Sequence, residues 1–360
     1  MKTAGEATGF SLDRLEHPIV QAPLGGGPST PALAAAVSNG GGLGFVAAGY
    51  RTPEAVRDDI RDVRERTERP FGVNVFVPHP PAAARDSVER YADALRDESL
   101  RYGVALGEPR HDDDRFGDKL ELLAEEPVAV VSFTSGCPEN AVVEDLHGAG
   151  SAVWTTVTTP AEAIRAERAG ADALVVQGVE AGGHRASFDD ESAGEIGLLA
   201  LLQLVAAKVD LPLVATGGIA NGHGVAAVLA GGAAAAALGT AFMLTPEAGT
   251  SPAHREAIAS DAETALTRAF TGRTARGVVN RFLREHDADA PSAYPEVHHL
   301  TAPIRAAARD AGDPDGFHLW AGQAHALAEG IPATELVRRL ADDARQALRD
   351  ALAHHAGAPL

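Results

Sequence analysis

A chain of 360 residues, 45% hydrophobic and 22% charged, is long enough for one large folded domain with an added lobe, which excludes disorder as its main state. Fifty acidic residues against 31 basic ones leave a net charge of −19. That balance argues against nucleic acid or an anionic membrane as partner, since both demand basic patches. The single cysteine, Cys137, rules out an internal disulfide framework and any cysteine-rich metal site.

Residues Met1 to Glu16 contain no apolar core of signal-peptide length. Membrane spanning needs about 18 consecutive apolar residues. The nearest candidate, Val225 to Leu244, is rich in Ala and Gly with a central Gly231-Gly232, so it reads as helix, turn and strand. A soluble cytoplasmic protein is the expectation.

Short apolar runs alternate with helical patterns through the first two-thirds of the chain, the signature of βα units around a parallel sheet. In chain order the expected strands are 18–22, 43–47, 72–77, 128–133, 152–156, 173–177, 211–216 and 234–238. Eight such units predict a (β/α)₈ TIM barrel over residues 1–245. Thr30-Pro31, Thr52-Pro53 and Thr159-Pro160 each place a capping hydroxyl before a proline at the first helical position, where the missing N–H costs nothing. Gly40 and Gly170 are natural helix ends. Residues 78–127 are too long for one crossover and are expected to form a helical insertion. From Pro246 onward the strands are expected to stop, leaving a mainly helical segment, 246–360, as a lid over the barrel mouth. That segment includes a helix over 334–352.

A barrel carries its chemistry on the loops after its strands. After the seventh strand comes Gly217-Gly218, and after the eighth Leu238-Gly239-Thr240. Glycine there lets backbone N–H groups approach a phosphate closely, beside helix N-termini that favour its charge. By contrast, Gly40-Gly41-Gly42-Leu43-Gly44 closes a helix and opens a strand, the reverse of a dinucleotide-binding fingerprint. The sixth strand ends in Gln177 and runs into Ala181-Gly182-Gly183-His184-Arg185, read as a mobile glycine loop presenting His and Arg to a ligand. Histidine suits proton abstraction near neutrality. Arg185 is either a ligand contact or a solvated loop charge. Asn74, flanked by apolar residues, needs partners for its amide, either internal or from a ligand at the barrel top. His298-His299 lacks the spacing of a helical metal pair, so no metal is expected, and Cys137 reads as structural.

Together these motifs resemble the nitronate monooxygenase family, class I. The matching pieces are Pro18-Ile19-Val20-Gln21-Ala22-Pro23-Leu24, the segment 31–44, Gly72-Val73-Asn74-Val75-Phe76, the Ala181–Arg185 loop, Ala215-Thr216-Gly217-Gly218-Ile219 and Leu238-Gly239-Thr240-Ala241-Phe242. Tyr294-Pro295-Glu296-Val297 and Trp320-Ala321-Gly322-Gln323 also fit. The resemblance implies noncovalent FMN, with Ala22, Pro23 and Leu24 against its ring system and Asn74 and Gln177 hydrogen-bonded to it. Gly182, Gly217, Gly218, Ala237, Leu238, Gly239 and Thr240 would complete the flavin site. It implies His184 as catalytic base and Tyr294 and His298 at the substrate. A small-molecule nitronate or nitroalkane and O₂ would be the reactants, giving a carbonyl compound and nitrite by one-electron flavin chemistry. Propionate 3-nitronate is the expected substrate, and either a monomer or a homodimer fits. The sequence departs from the family pattern at Ala237, where many relatives have glutamine, at Ala186 (usually glycine), and at His298 and Ala302, where relatives can carry Tyr and Lys. The alternative reading is an FMN-dependent NAD(P)H oxidoreductase, resembling enoyl-acyl-carrier-protein or quinone reductases. A third is a non-catalytic flavin or phosphate-ligand carrier.

Overall fold

The computed structural model describes residues 9–80, 85–191 and 194–355; residues 1–8, within the N-terminal stretch read above, lie outside these. In chain order the first elements are β1 (Ile19–Gln21), α1 (Pro31–Asn39), β2 (Gly44–Ala47), α2 (Pro53–Arg66), β3 (Phe71–Phe76), α3 (Arg85–Ala94), α4 (Arg96–Tyr102), α5 (Phe116–Glu125) and β4 (Val130–Thr134). Then come α6 (Asn140–Ala149), β5 (Ala152–Val157), α7 (Pro160–Ala169), β6 (Ala173–Gln177), β7 (Gly183–His184), α8 (Leu198–Ala206), β8 (Leu213–Thr216), α9 (Gly222–Ala230) and β9 (Ala235–Leu238). The chain ends with α10 (Pro252–Ile258), β10 (Thr264–Thr267), β11 (Ala275–Val278), α11 (Arg281–His286), α12 (Glu296–Asp310) and α13 (Ala333–His355).

Eight strands form one parallel sheet in the order β1-β9-β8-β6-β5-β4-β3-β2. The Gln21 amide donates to the Leu43 carbonyl at 2.9 Å and the Leu43 amide to Ile19 at 3.0 Å. These bonds join β1 to the start of β2 and close the sheet into a TIM barrel. All eight expected strands are present, each within two residues of its expected ends. Thr30, Thr52 and Thr159 each accept a backbone N–H at the start of their helix, with Pro at the first position. Gly170 ends α7 in the left-handed conformation. At the end of α1 that conformation falls on Gly41, φ +94°, rather than on Gly40.

Val20, Phe45, Trp154, Val214 and Ala237 pack together inside the barrel. Two larger clusters fill the layer between strands and outer helices. Burying such side chains contributes about 1.5–3 kcal/mol each.

Three expectations about the added segments are corrected. First, strands do not stop at Pro246: β10 and β11 pair with each other, and β11 pairs with β7, as an antiparallel three-stranded sheet. This sheet reaches back across the sequence to residues 183–184, a pairing invisible to local periodicity. Second, the helix over 334–352 is not part of a lid. Leu336, Val337, Leu340 and Ala344 of α13 are buried with Leu33, Val37, Val225 and Val228, so α13 sits between α9 and α1 as the eighth helix of the barrel wall. Third, 78–127 is only partly an insertion. Leu122 and Leu123 of α5 pack with Val73, Val75 and Phe133, making α5 a barrel helix. The true insertion, α3 and α4, sends Val88, Tyr91 and Leu95 into a separate core with Phe270, Phe282, Val297 and Ile304. No described helix is long and apolar enough to cross a membrane.

Candidate active site

The carboxyl ends of the barrel strands open onto a cavity of about 420 Å³, a size typical of small-molecule and cofactor sites. Its floor is made of strand ends. Ala22, Pro23 and Leu24 follow β1, Asn74 lies in β3, Gln177 ends β6, and Ala237 lies in β9; all line the cavity. Gly182, Gly217, Gly218, Gly239 and Thr240 line it too, whereas Leu238 does not. Its side chain is buried in the strand–helix layer, because successive residues of a strand face opposite sides.

The amides at the floor are already partnered. Asn74 Nδ2 donates to the Ser132 carbonyl at 3.1 Å, Ser132 Oγ at 2.9 Å and Thr134 Oγ1 at 2.8 Å, all on β4. Gln177 Nε2 donates to the His184 carbonyl at 3.1 Å while its Oε1 accepts from the Ala186 amide at 2.9 Å. Gln177 therefore clamps β7 to the end of β6.

At one end the cavity is built from backbone. Gly217 and Gly218 have φ of +119° and +67°, conformations that strain any L side chain. A Cβ on Gly218 would lie 3.0 Å from Glu180 Cβ. The turn delivers the chain to Asn221, whose side chain accepts from the Gly224 amide at 3.0 Å and caps α9. Thr240 Oγ1 accepts from the Gly322 amide at 3.0 Å, which pins the Trp320–Gln323 segment beside the glycines. Bare backbone, a hydroxyl and a helix N-terminus suit a phosphate.

The other end is built from side chains. His184, Tyr50, Tyr294, His298, Trp320, Arg273 and Arg305 line the cavity there. His184 is not on a mobile loop: it is a strand residue paired with Ala275. Its Nε2 lies 2.9 Å from Thr271 Oγ1, and the Thr271 hydroxyl donates to the Arg273 carbonyl at 3.3 Å. A hydroxyl has one proton, and with it on the Arg273 carbonyl the Thr271 oxygen would accept from His184 Nε2–H and leave Nδ1 as the basic nitrogen. The imidazole packs against Tyr294 and Trp320, with ring centroids at 5.6 and 5.8 Å. Burial, aided by Arg273 and Arg305, pushes its pKa down to about 3, so it is neutral at physiological pH. Tyr50, held at φ +65°, stacks on His298 at 4.5 Å and meets the Tyr294 hydroxyl at 3.2 Å.

Arg185 fits neither expectation. It is 1% exposed and donates to the carbonyls of Gln177, Gly178 and Gly194, stitching its turn to the barrel. Cys137 is half-buried outside the cavity, its Sγ 3.9 Å from the Arg165 carbonyl. Among the described residues, Glu98, Glu285 and His286 form a group with metal-like spacing, but the Arg281 guanidinium already pairs with both glutamates.

Tyr50, Thr271, Arg273 and Arg305 were missed in the sequence. Thr271-Gly272-Arg273 lies in an unremarkable turn, and only the pairing of β11 with β7 brings it to His184. Among the described residues every one that lines it is neutral or basic: three arginines and five histidines, with no Asp or Glu. In a chain with 50 acidic residues, such a cavity is shaped for anionic ligands.

The family model for nitronate monooxygenase matches residues 10–343. The nitronate monooxygenase of Pseudomonas aeruginosa is 44% identical over 352 residues, spanning 92% of this chain and 97% of that protein. Among solved structures, the nitroalkane oxidase of Streptomyces ansochromogenes is 51% identical with a TM-score of 0.92, covering 95% of this chain and all of that one. FabK from Thermotoga maritima is 29% identical with a TM-score of 0.76, covering 95% and 97%.

Proposed function

From the premise that this chain belongs to the nitronate monooxygenase family and is an oxidoreductase, we propose that it is an FMN-dependent enzyme oxidising alkyl nitronates with O₂ to a carbonyl compound and nitrite. Propionate 3-nitronate is the proposed substrate. The observation that carries this reading is the acid-free cavity with a neutral histidine at its side-chain end. A phosphorylated flavin and a nitronate are both anions, and each meets the matching half of the site.

The residues present fit FMN. Gly217, Gly218, Gly239 and Thr240 would hold the phosphate, and Ala22, Pro23 and Leu24, all apolar and on the cavity wall, would flank the ring system. When bound, FMN supplies the stepwise electron transfer between nitronate and O₂. The chain supplies position and proton control. His184, held through Nε2 by Thr271, presents Nδ1 as a base for the α-proton of a nitroalkane. Because burial, aided by the nearby arginines, disfavours the imidazolium, the ligand-free site is better suited to an already ionised nitronate. The positive field of the cavity favours that anion, and its charge in turn favours a proton on His184. Tyr294 and Trp320 shield this base from water.

The test is an anaerobic visible spectrum of the FMN-loaded protein during addition of propionate 3-nitronate, followed by nitrite measurement on admitting air. Loss of the flavin band with the nitronate, and nitrite in air, is the expected result. FabK-like structures keep a nicotinamide-dependent reductase as the second reading. Bleaching by NADH or NADPH, with no response to nitronate, replaces the first reading with it.

A further inference from the structure

The three arginines on the cavity wall are not equivalent. Arg309 is exposed and lies over the Phe317 ring at 5.3 Å. Arg273 has a counter-charge: the Asp190 carboxylate, bonded to the adjacent Thr274 amide, acts on it, and three of its five N–H groups meet the Arg185 carbonyl at 3.1 Å, the Ser187 carbonyl and His79 Nε2 at 3.0 Å. Arg305, on α12, is 6% exposed. Its Nε donates to Thr301 Oγ1 at 3.0 Å and Nη2 to the His298 carbonyl at 2.7 Å. Its remaining contacts are long ones to imidazole nitrogens, His298 Nδ1 at 3.3 Å and His318 Nδ1 at 3.5 Å. A guanidinium has five N–H donors, so one proton on Nη1 has no acceptor among the described residues. Burial also holds both neighbouring imidazoles neutral.

The titratable groups that act on Arg305 are Tyr50, Tyr294 and Arg309, with no carboxylate among them. A buried cation without a counter-ion costs several kcal/mol, and a ligand anion is the remaining way to offset that cost. The position of Arg305 says which anion. From His184 the rings run to Tyr294 at 5.6 Å and on to His298 at 6.2 Å, and it is His298 that Arg305 bonds to. An anion on Arg305 therefore sits on the His298 side of the cavity, which suits a second charged group of the ligand rather than the one at His184.

We propose that Arg305 is the specificity-determining anchor for a carboxylate carried at the far end of the nitronate substrate. This inference rests on the nitronate reading for its substrate, but not for its anion. Arg305 binds a short-chain dianion, with one charge at the His184 end and the other at α12. It discriminates against nitronates that end in a methyl group.

The test uses FMN-loaded wild type, Arg305→Gln and Arg305→Lys. Two readouts are taken: the ratio of kcat/KM for propionate 3-nitronate to that for propyl 1-nitronate, and the calorimetric Kd of succinate, a dianion that does not react. Loss of one charge-assisted bond predicts that Arg305→Gln lowers the ratio about 30-fold, mainly through KM, and weakens succinate by a similar factor. Arg305→Lys should recover part of both. Equal losses on the two nitronates, or succinate binding unchanged in Arg305→Gln, overturn the anchor. A wild type inactive on both nitronates sinks the nitronate reading alone, since the succinate comparison still decides the fate of Arg305.

Discussion

The two ends of the cavity solve the same problem, holding an anion, by opposite means. At the glycine end the donors are backbone N–H groups on loops fixed by β8 and β9, with Gly218 left-handed and Thr240 tied to Gly322. At the other end the work falls to side chains from β7, the turn before β11 and α12: His184 and Thr271 are brought together by elements distant in sequence, and Arg305 is held within α12. A backbone cradle tolerates change around it but not a Cβ within it. A side-chain site tolerates small shape changes but depends on charge state. The two ends should therefore fail differently.

The largest difference should come from His184. His184→Asn removes the only base that Thr271 orients, and turnover of a neutral nitroalkane should fall about 10²- to 10⁴-fold. Turnover of the pre-ionised nitronate should fall much less, since no proton need be abstracted. Initial rates of nitrite release with both forms at one pH would measure this. An equal fall on both would remove the base from the mechanism.

The next effect tests the glycine end. A Cβ at Gly182 would lie 2.5 Å from Ala321 C and Gly322 N, both backbone atoms of the segment that Thr240 pins. Gly182→Ala must push that segment away, at a cost of about 1–3 kcal/mol. FMN affinity, read by fluorescence titration, should weaken about tenfold or more, corresponding to about 1.4 kcal/mol. Unchanged affinity would mean that the cradle does not depend on Gly322.

This division also explains what could be read in the sequence. The barrel was legible because each βα unit is local: an apolar run followed by a helical pattern, three of them marked by a Thr-Pro cap. The glycine end was legible for the same reason, since Gly217-Gly218 and Gly239-Thr240 directly follow their strands. The side-chain end was not. His184 stood out only as a histidine in a glycine-rich stretch, and its neighbours Thr271 and Arg273 arrive through an antiparallel pairing spanning some ninety residues. Arg185 shows the converse error. Its charge suggested solvent or substrate, yet three backbone carbonyls hold it inside. Helix α13 was legible as a helix, but its place in the barrel wall depends on returning after the excursion.

Acid should break the side-chain end first. Burial lowers the pKa of His184 to about 3, of His79 and His254 to about 4 and of His298 to about 2, all from an ordinary value near 6.5. Between those folded values and 6.5 the unfolded chain binds more protons than the native one, so stability is highest above 6.5 and falls as the pH drops toward 4. Each histidine contributes at most about 1.4 kcal/mol per pH unit in that window. The urea midpoint should therefore fall clearly between pH 7 and 5. A midpoint that stays level would mean these imidazoles are not buried neutral.

The smallest effect isolates the tautomer. Thr271 Oγ1 lies 2.9 Å from His184 Nε2 and donates to the Arg273 carbonyl at 3.3 Å. Thr271→Val keeps the shape but removes the acceptor, so His184 loses the bond that makes Nδ1 its basic nitrogen. One buried hydrogen bond predicts about a tenfold loss in kcat/KM for the neutral nitroalkane, with little change in KM for the nitronate. Thr271→Ser restores the hydroxyl and should recover most of the loss. If valine and serine behave alike, the hydroxyl is only packing, and the orientation of His184 rests on its pairing with β11 and on the rings of Tyr294 and Trp320.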